Sequence, residues 1–247
     1  MLLQSADMAQ ARGMHRLPVH DRGKRWEWQQ MLTATTQIQQ PQCVYYVERV
    51  TLKRKPVYRF AKRAFDLIGA IVLLIILAVP MAILAVLIRL VSPGPALFRQ
   101  ERLGKDGAPF TIYKFRTMCL DAERDGPQWA REHDSRCTKL GKALRKSRMD
   151  ELPQLINIVR GEMSFVGPRP ERAYFYAKFE EYVHGFRQRL QVVPGVTGWA
   201  QVNGGYLLRP EEKILYDMEY IEHQSAAFDA KCLFRTIGVV FRHEGAR

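Results

Sequence analysis

A run of 22 uncharged residues, positions 67 to 88, most constrains what this 247-residue chain can fold into. An α-helix rises about 1.5 Å per residue, so the run is long enough to cross a hydrocarbon core of roughly 30 Å. A buried helix of a soluble domain would be expected to carry a charge somewhere in such a stretch, and a membrane helix is the better expectation. Pro80 stands near its middle, where it removes a backbone donor and tends to kink a helix. Basic residues flank both ends, with Lys53, Arg54, Lys55, Arg59, Lys62 and Arg63 before the run and Arg89, Arg99, Arg102 and Lys105 after it. Positive flanks favour the cytoplasmic side. A re-entrant helix, broken at Pro80 and returning to the face it entered, satisfies both flanks better than a straight span. No second long apolar run follows, which argues against a multi-span transporter.

The rest of the chain suffices for one ordinary domain with its own core. Three regions are expected: an accessory extension over residues 1–58, a basic flank and membrane helix over 59–90, and a catalytic domain with amphipathic helices over 91–247. The chain carries 38 Lys and Arg against 25 Asp and Glu, a net charge of +13. That excess calls for an anionic partner, whether nucleic acid, acidic lipid headgroups or a phosphorylated substrate. Cys43, Cys119, Cys137 and Cys232 show no C-x-x-C spacing, so free thiols are expected rather than a zinc site or a disulfide framework. The first residues lack a basic start followed by an apolar stretch, so no cleavable secretory signal is expected.

Local patterns predict a mostly helical α/β domain with a small sheet or hairpin. A Gln-rich stretch at 37–42 precedes a short strand within 44–52. Residues 96–100 and 110–118 read as strands around the turn-like Gly104-Lys-Asp-Gly107. A short basic helix is expected over 138–147. Asp150 then reads as the N-cap of a helix carrying Leu152, Leu155, Ile156 and Val159 on one face and closed by Gly161. Further helices are expected over 174–193, 211–222 and 228–242.

The chemistry concentrates at Asp150-Glu151. Two carboxylates at a helix start feel the positive end of the macrodipole, which favours the ionised form by about 0.3–1 kcal/mol. An ionised Asp is a competent nucleophile toward phosphorus. Taken alone, the pair reads first as an ordinary helix cap with a first-turn acid. Its surroundings argue for more. Arg145, Lys146 and Arg148 precede it, Lys114 and Arg116 lie on a candidate strand, and Arg169 is held between two prolines in Gly167-Pro-Arg-Pro170. Cations around a positioned nucleophile or base are what phosphoryl transfer requires.

Five blocks in order then carry a resemblance. They are Lys62-Arg-Ala-Phe-Asp66, Tyr113-Lys-Phe-Arg-Thr-Met118, Asp150-Glu-Leu-Pro-Gln154, Met163-Ser-Phe-Val-Gly-Pro-Arg-Pro170 and Pro194-Gly-Val-Thr-Gly-Trp-Ala-Gln-Val-Asn-Gly204. From about residue 62 to 241 the chain resembles the bacterial sugar transferase family, small monotopic polyprenyl-phosphate phosphoglycosyl transferases. The resemblance implies that Asp150 attacks the β-phosphate of a UDP-sugar, releases UMP and keeps the phosphosugar. A polyprenyl phosphate, such as undecaprenyl phosphate, would then accept it, as the first membrane step of exopolysaccharide, capsule or glycan assembly. It further implies a Mg²⁺ ion at Asp150 and Glu151, with Glu151 assisting through the metal or through proton chemistry, and phosphate contacts from Lys114, Arg145 and Arg169. It also implies an inner-membrane enzyme with a cytoplasmic site, and membrane lipids rather than nucleic acid as its surroundings.

Two departures stand out. The family's Ser-Pro helix break is Val79-Pro80 here, and Gly204-Gly205-Tyr206 lacks the Asn-Gly-Arg ending of many members. A membrane-tethered binding protein for anionic lipid or nucleic acid is the competing reading. It accounts for the charge and the apolar run, but not for carboxylates set among cations. His133, His184, His223 and His243 fall outside the blocks and read as surface or packing residues, while Trp199 reads as core near the site.

Overall fold

The computed structural model describes residues 14–17, 44–124 and 134–242. The Gln-rich stretch, Cys43, His133 and His243 lie outside them. Strands β1 (Met14–Leu17) and β2 (Val44–Val47) precede the long helix α1 (Pro56–Val91). Pro56 opens this helix where its missing N–H costs nothing. At the far end the Arg116 guanidinium donates to the Ser92 and Pro93 carbonyls. Arg116 therefore closes α1.

At 1.5 Å per residue the 36 residues of α1 extend about 54 Å. One side of α1 rests on the domain. Arg63 donates to the Ile158 and Val159 carbonyls, and Asp66 accepts from the Phe165 amide. Ala70, Leu74 and Leu77 pack before Pro80, and Met81, Leu84 and Ile88 after it. The other side exposes Ile68, Ile75, Ile76, Val79, Ile83 and Leu90. An exposed apolar face of this length suits lipid rather than water.

The break expected at Pro80 is corrected: the backbone stays helical from residue 56 to 91. A proline removes one i to i−4 bond. The turns on either side keep theirs, and packing of both halves on one domain holds the helix together.

The hairpin of β3 (Leu97–Leu103) and β4 (Pro109–Phe115) follows, in antiparallel register from Leu97 opposite Phe115 to Leu103 opposite Pro109. Helix α2 (Lys139–Lys146) is capped by Thr138, whose hydroxyl accepts from the Gly141 amide. Its Leu144 packs with Phe115 and Ile88.

Residues Met149–Gln154 form a 3-10 turn leading into α3 (Leu155–Arg160). Asp150 is not an N-cap. Arg148 holds the preceding position at φ 59°, and no side chain caps the turn. Gly161 closes α3 in the left-handed region, as the sequence predicts.

Strand β5 (Ser164–Val166) precedes α4 (Ala173–Glu180) and β6 (Val183–His184). The helix predicted over 174–193 stops at residue 180: Val183 pairs with Tyr45, and Gly185 then turns the chain at φ 96°. A 3-10 segment, Phe186–Gln191, leads on to β7 (Gly195–Thr197), α5 (Trp199–Val202), α6 (Pro210–His223) and α7 (Ala226–Arg242). Strand β2 lies between β1 and β6, parallel to both, and β5 pairs β7 in parallel. The largest core cluster joins Tyr45 and Val47 of β2 to Phe179, Phe186, Trp199 and Met218.

Candidate active site

Strand alternation delivers the first cation. Residues 110, 112 and 114 share one face of β4. Phe110 and Ile112 are buried on it, so Lys114 is carried inward, and its Nζ lies 3.4 Å from Glu151 Oε1.

The second cation is fixed by a close approach of strands. The Gly167 amide donates to the Thr197 carbonyl and the Gly195 amide to the Pro168 carbonyl. A Cβ on Gly195 would lie 2.1 Å from the Gly167 nitrogen, so only glycine permits this spacing. Arg169 leaves that junction and grips Glu151 with Nη2 at 2.5 Å and Nη1 at 3.2 Å. Behind it, Arg189 Nη2 donates to the Arg169 carbonyl at 2.8 Å, and Arg189 Nε is held by Asp217 at 2.6 Å.

Asp150 and Glu151 are only 7% and 8% exposed, so their charges depend on protein neighbours. Burial opposes ionisation of Glu151, but Arg169 and then Lys114 outweigh it and hold this carboxyl below the usual range. Asp150 moves the other way. Burial and the neighbouring Glu151 charge raise it, against the pull of Lys114, Arg145 and Arg169. The macrodipole expected to ionise Asp150 is therefore overruled. A turn of six residues adds little dipole, and desolvation is the larger effect.

Asp150 Oδ1 is buried and accepts no hydrogen bond from the described residues. Mg²⁺ binds through one or two carboxylates completed by substrate phosphates and water. This carboxylate pair, with one oxygen unsatisfied, fits such an ion. Among the described residues no group of three or more His, Cys, Asp or Glu gathers as a closed metal cage.

Both carboxylates line a cavity of about 1080 Å³. Eleven Lys or Arg side chains line it against four acids, which selects for an anionic ligand. Arg145 lines it too, with Nε donating to Thr117 Oγ1 at 2.9 Å.

Lys114, Arg169, Asp150 and Glu151 thus meet as the sequence suggested. Arg145 joins their cavity from α2, and Pro80 lies apart on α1. Missing from that reading were Glu171, which ties Lys213 at 2.7 Å to Arg102 at 3.2 Å, and the Arg189–Asp217 pair. Burial opposes the charge of Glu171, but Lys213 and Arg102 outweigh it, and its carboxyl is pulled down to about 2. Its place directly after Pro170 was a usable signal. Nothing in the sequence marked Arg189. Trp199 is core, with Nε1 donating to Glu219. His184 packs at a tilt against Tyr46, and His223 ends α6.

Fold and site together define a domain docked on a long apolar helix, with paired carboxylates in a cationic cavity. The profile of the bacterial sugar transferase family matches residues 57–243, and the chain belongs to that family. It is 42% identical over 200 residues to the UDP-N-acetylgalactosamine-undecaprenyl-phosphate N-acetylgalactosaminephosphotransferase of Aeromonas hydrophila, covering 80% of this chain and 47% of the relative. It is 38% identical over 195 residues to the UDP-glucose:undecaprenyl-phosphate glucose-1-phosphate transferase of Escherichia coli K12, covering 77% and 42%. A Caulobacter vibrioides protein with the latter name is 42% identical over 189 residues, covering 71% and 68%. The chain spans less than half the length of the first two relatives.

Proposed function

We propose that this chain transfers a sugar 1-phosphate from a UDP-sugar to a polyprenyl phosphate, at the cytoplasmic face of the bacterial inner membrane. The observation that carries the reading is Glu151, gripped by Arg169 and Lys114 beside an unsatisfied Asp150, in a cationic cavity. The names of the relatives, undecaprenyl-phosphate sugar phosphotransferases, support the donor and acceptor classes.

In the first step an Asp150 carboxylate oxygen attacks the β-phosphorus. The bond from that phosphorus to the bridging oxygen breaks, and the oxygen leaves with UMP. Asp150 then carries the phosphosugar as an acyl phosphate. In the second step a phosphate oxygen of the lipid attacks the same phosphorus, the bond to Asp150 breaks, and the carboxylate returns. The product is a polyprenyl diphosphate sugar. Lys114, Arg145 and Arg169 stabilise the charge on the phosphoryl oxygens in both steps. Glu151, kept ionised, orients Lys114 and Arg169. Asp150 and Glu151 would hold Mg²⁺, which when bound neutralises diphosphate charge.

The lipid acceptor accounts for the anchor. Residues on both sides of Pro80 pack on one domain, which supports a monotopic anchor held along one side of that domain. Residues 59–90 form the anchor and 91–247 the catalytic unit, whose core also takes in Tyr45 and Val47 of β2.

The test is UMP release and lipid product formation across a panel of UDP-sugars, with undecaprenyl phosphate and Mg²⁺. Asp150→Asn is expected to lower turnover by about a thousandfold or more and to abolish trapping of labelled sugar phosphate on the protein. Near wild-type turnover in Asp150→Asn would remove the nucleophile assignment.

A further inference from the structure

A second cavity, of about 250 Å³, lies between α1, α3 and α7 and differs in character from the first. Leu73 and Leu77 of α1 line it, four residues apart on one helix face, opposite Val239 and Val240 of α7. Leu152, Leu155 and Phe165 complete its apolar wall. Most of its uncharged polar groups are already engaged inside the protein, Gln201 Oε1 being buried without a partner. Thr197 and Thr236 hydrogen-bond each other at 2.7 Å, and the Gln201 amide donates to the Val196 carbonyl. The charged residues of its lining, Arg148, Glu151, Arg169 and Lys213, also line the large cationic cavity. Asp150 lines only the large one.

We infer that the small cavity receives the phosphate-proximal isoprene units of the lipid acceptor, whose phosphate meets Arg148 and Arg169 where the two cavities share a wall. The inference rests on the proposed transfer reaction and adds where its second substrate binds. An apolar slot beside a helix with an outward lipid-compatible face, ending at paired arginines, complements a hydrocarbon tail with an anionic head. Its volume takes only the first units of a long prenyl chain, so the remainder runs along α1 into the bilayer. The nucleotide sugar, polar throughout, is confined to the cationic cavity. Each substrate therefore approaches the carboxylates by its own route, and the shared cations serve both.

The test uses the full chain in phospholipid nanodiscs with farnesyl phosphate carrying a photoreactive group on its terminal isoprene unit. Cross-links are expected within residues 73–77 and 236–240, and undecaprenyl phosphate should suppress them where farnesol and phosphatidylglycerol do not. Adducts confined to other segments overturn the inference. So does equal competition by phosphatidylglycerol, which would make the slot an ordinary phospholipid site. In a second arm, Val239→Trp fills the slot and is expected to raise KM for undecaprenyl phosphate about tenfold or more, with little change in KM for the UDP-sugar. A change shared equally by both substrates, or no change in either, counts against it. If the wild-type chain releases no UMP from any UDP-sugar, the transfer reaction falls, while the cross-linking map still decides the site.

Discussion

Arg169 holds Glu151 with both terminal nitrogens, Nη2 at 2.5 Å from Oε1 and Nη1 at 3.2 Å from Oε2. This planar fork fixes the guanidinium beside Asp150, something a point charge on a flexible stem cannot do. Lys114 approaches the same Oε1 at 3.4 Å, so Glu151 anchors two cations at once. This arrangement places positive charge beside the neighbouring Asp150 carboxylate.

Arg169→Lys is therefore expected to lower kcat/KM for the UDP-sugar by about tenfold to a hundredfold, although the charge is kept. Steady-state UMP release measures it. Unchanged kcat/KM would show that charge alone suffices at this position.

The opposite shifts of the two carboxylates set the pH dependence. The proposed attack requires an ionised Asp150, and burial together with Glu151 raises its pKa. UMP release in the first step should therefore fall, as pH is lowered, at a pH above that of an ordinary aspartate. Glu151→Gln removes the repelling charge and leaves Arg169 and Lys114 uncompensated beside Asp150. Both changes lower the Asp150 pKa, so the acidic limb moves to lower pH even as the rate drops. Single-turnover UMP release across pH reads this directly, and superimposable limbs would mean that the two carboxylates are uncoupled.

Much of this site was legible because it is local. Asp150-Glu151 adjoin in sequence, Arg169 sits between two prolines, and period-two alternation places Lys114 on the buried face of β4. The anchor was legible from its length and lack of charge. What escaped depends on tertiary packing. Helix 174–193 has a helical composition, but Gly185 and the pairing of Val183 with Tyr45 override it. The continuity of α1 through Pro80 depends on contacts from β4, α3 and β5, which no local pattern contains. Arg189 sits in a Phe-Arg-Gln-Arg stretch that reads as exposed, yet it is buried against Asp217, 28 residues away.

That buried pair can be separated from the chemistry. Removing one partner of a buried ion pair costs about 3–5 kcal/mol, because the other charge is left uncompensated. Arg189→Met should lower the unfolding midpoint sharply, and Arg189→Met with Asp217→Leu should recover most of the loss. The double variant still lacks the donor to the Arg169 carbonyl. Turnover is thus expected to stay depressed when stability returns. Full recovery of turnover in the stable double variant would make Arg189 purely structural.

A close contact at Gly141 helps to place Arg145, which gives its role a sharp test. Gly141, in the first turn of α2, lies against β4's continuation so closely that a Cβ would come within 2.0 Å of the Thr117 carbonyl oxygen and 2.7 Å of its Cα. Those atoms are backbone and cannot rotate away. Thr117 also supplies the hydroxyl that accepts from Arg145 Nε, so Gly141→Ala pushes the helix and the orienting hydroxyl apart together. KM for the UDP-sugar is expected to rise about tenfold, the scale of one charge-assisted hydrogen bond. Gly238 on α7 provides the control, because a Cβ there meets nothing within 4 Å. Gly238→Ala should leave that KM unchanged and stabilise the helix by about 0.5–1 kcal/mol. If Gly141→Ala binds the UDP-sugar as well as Gly238→Ala does, the packing of α2 on Thr117 does not position Arg145 for phosphate.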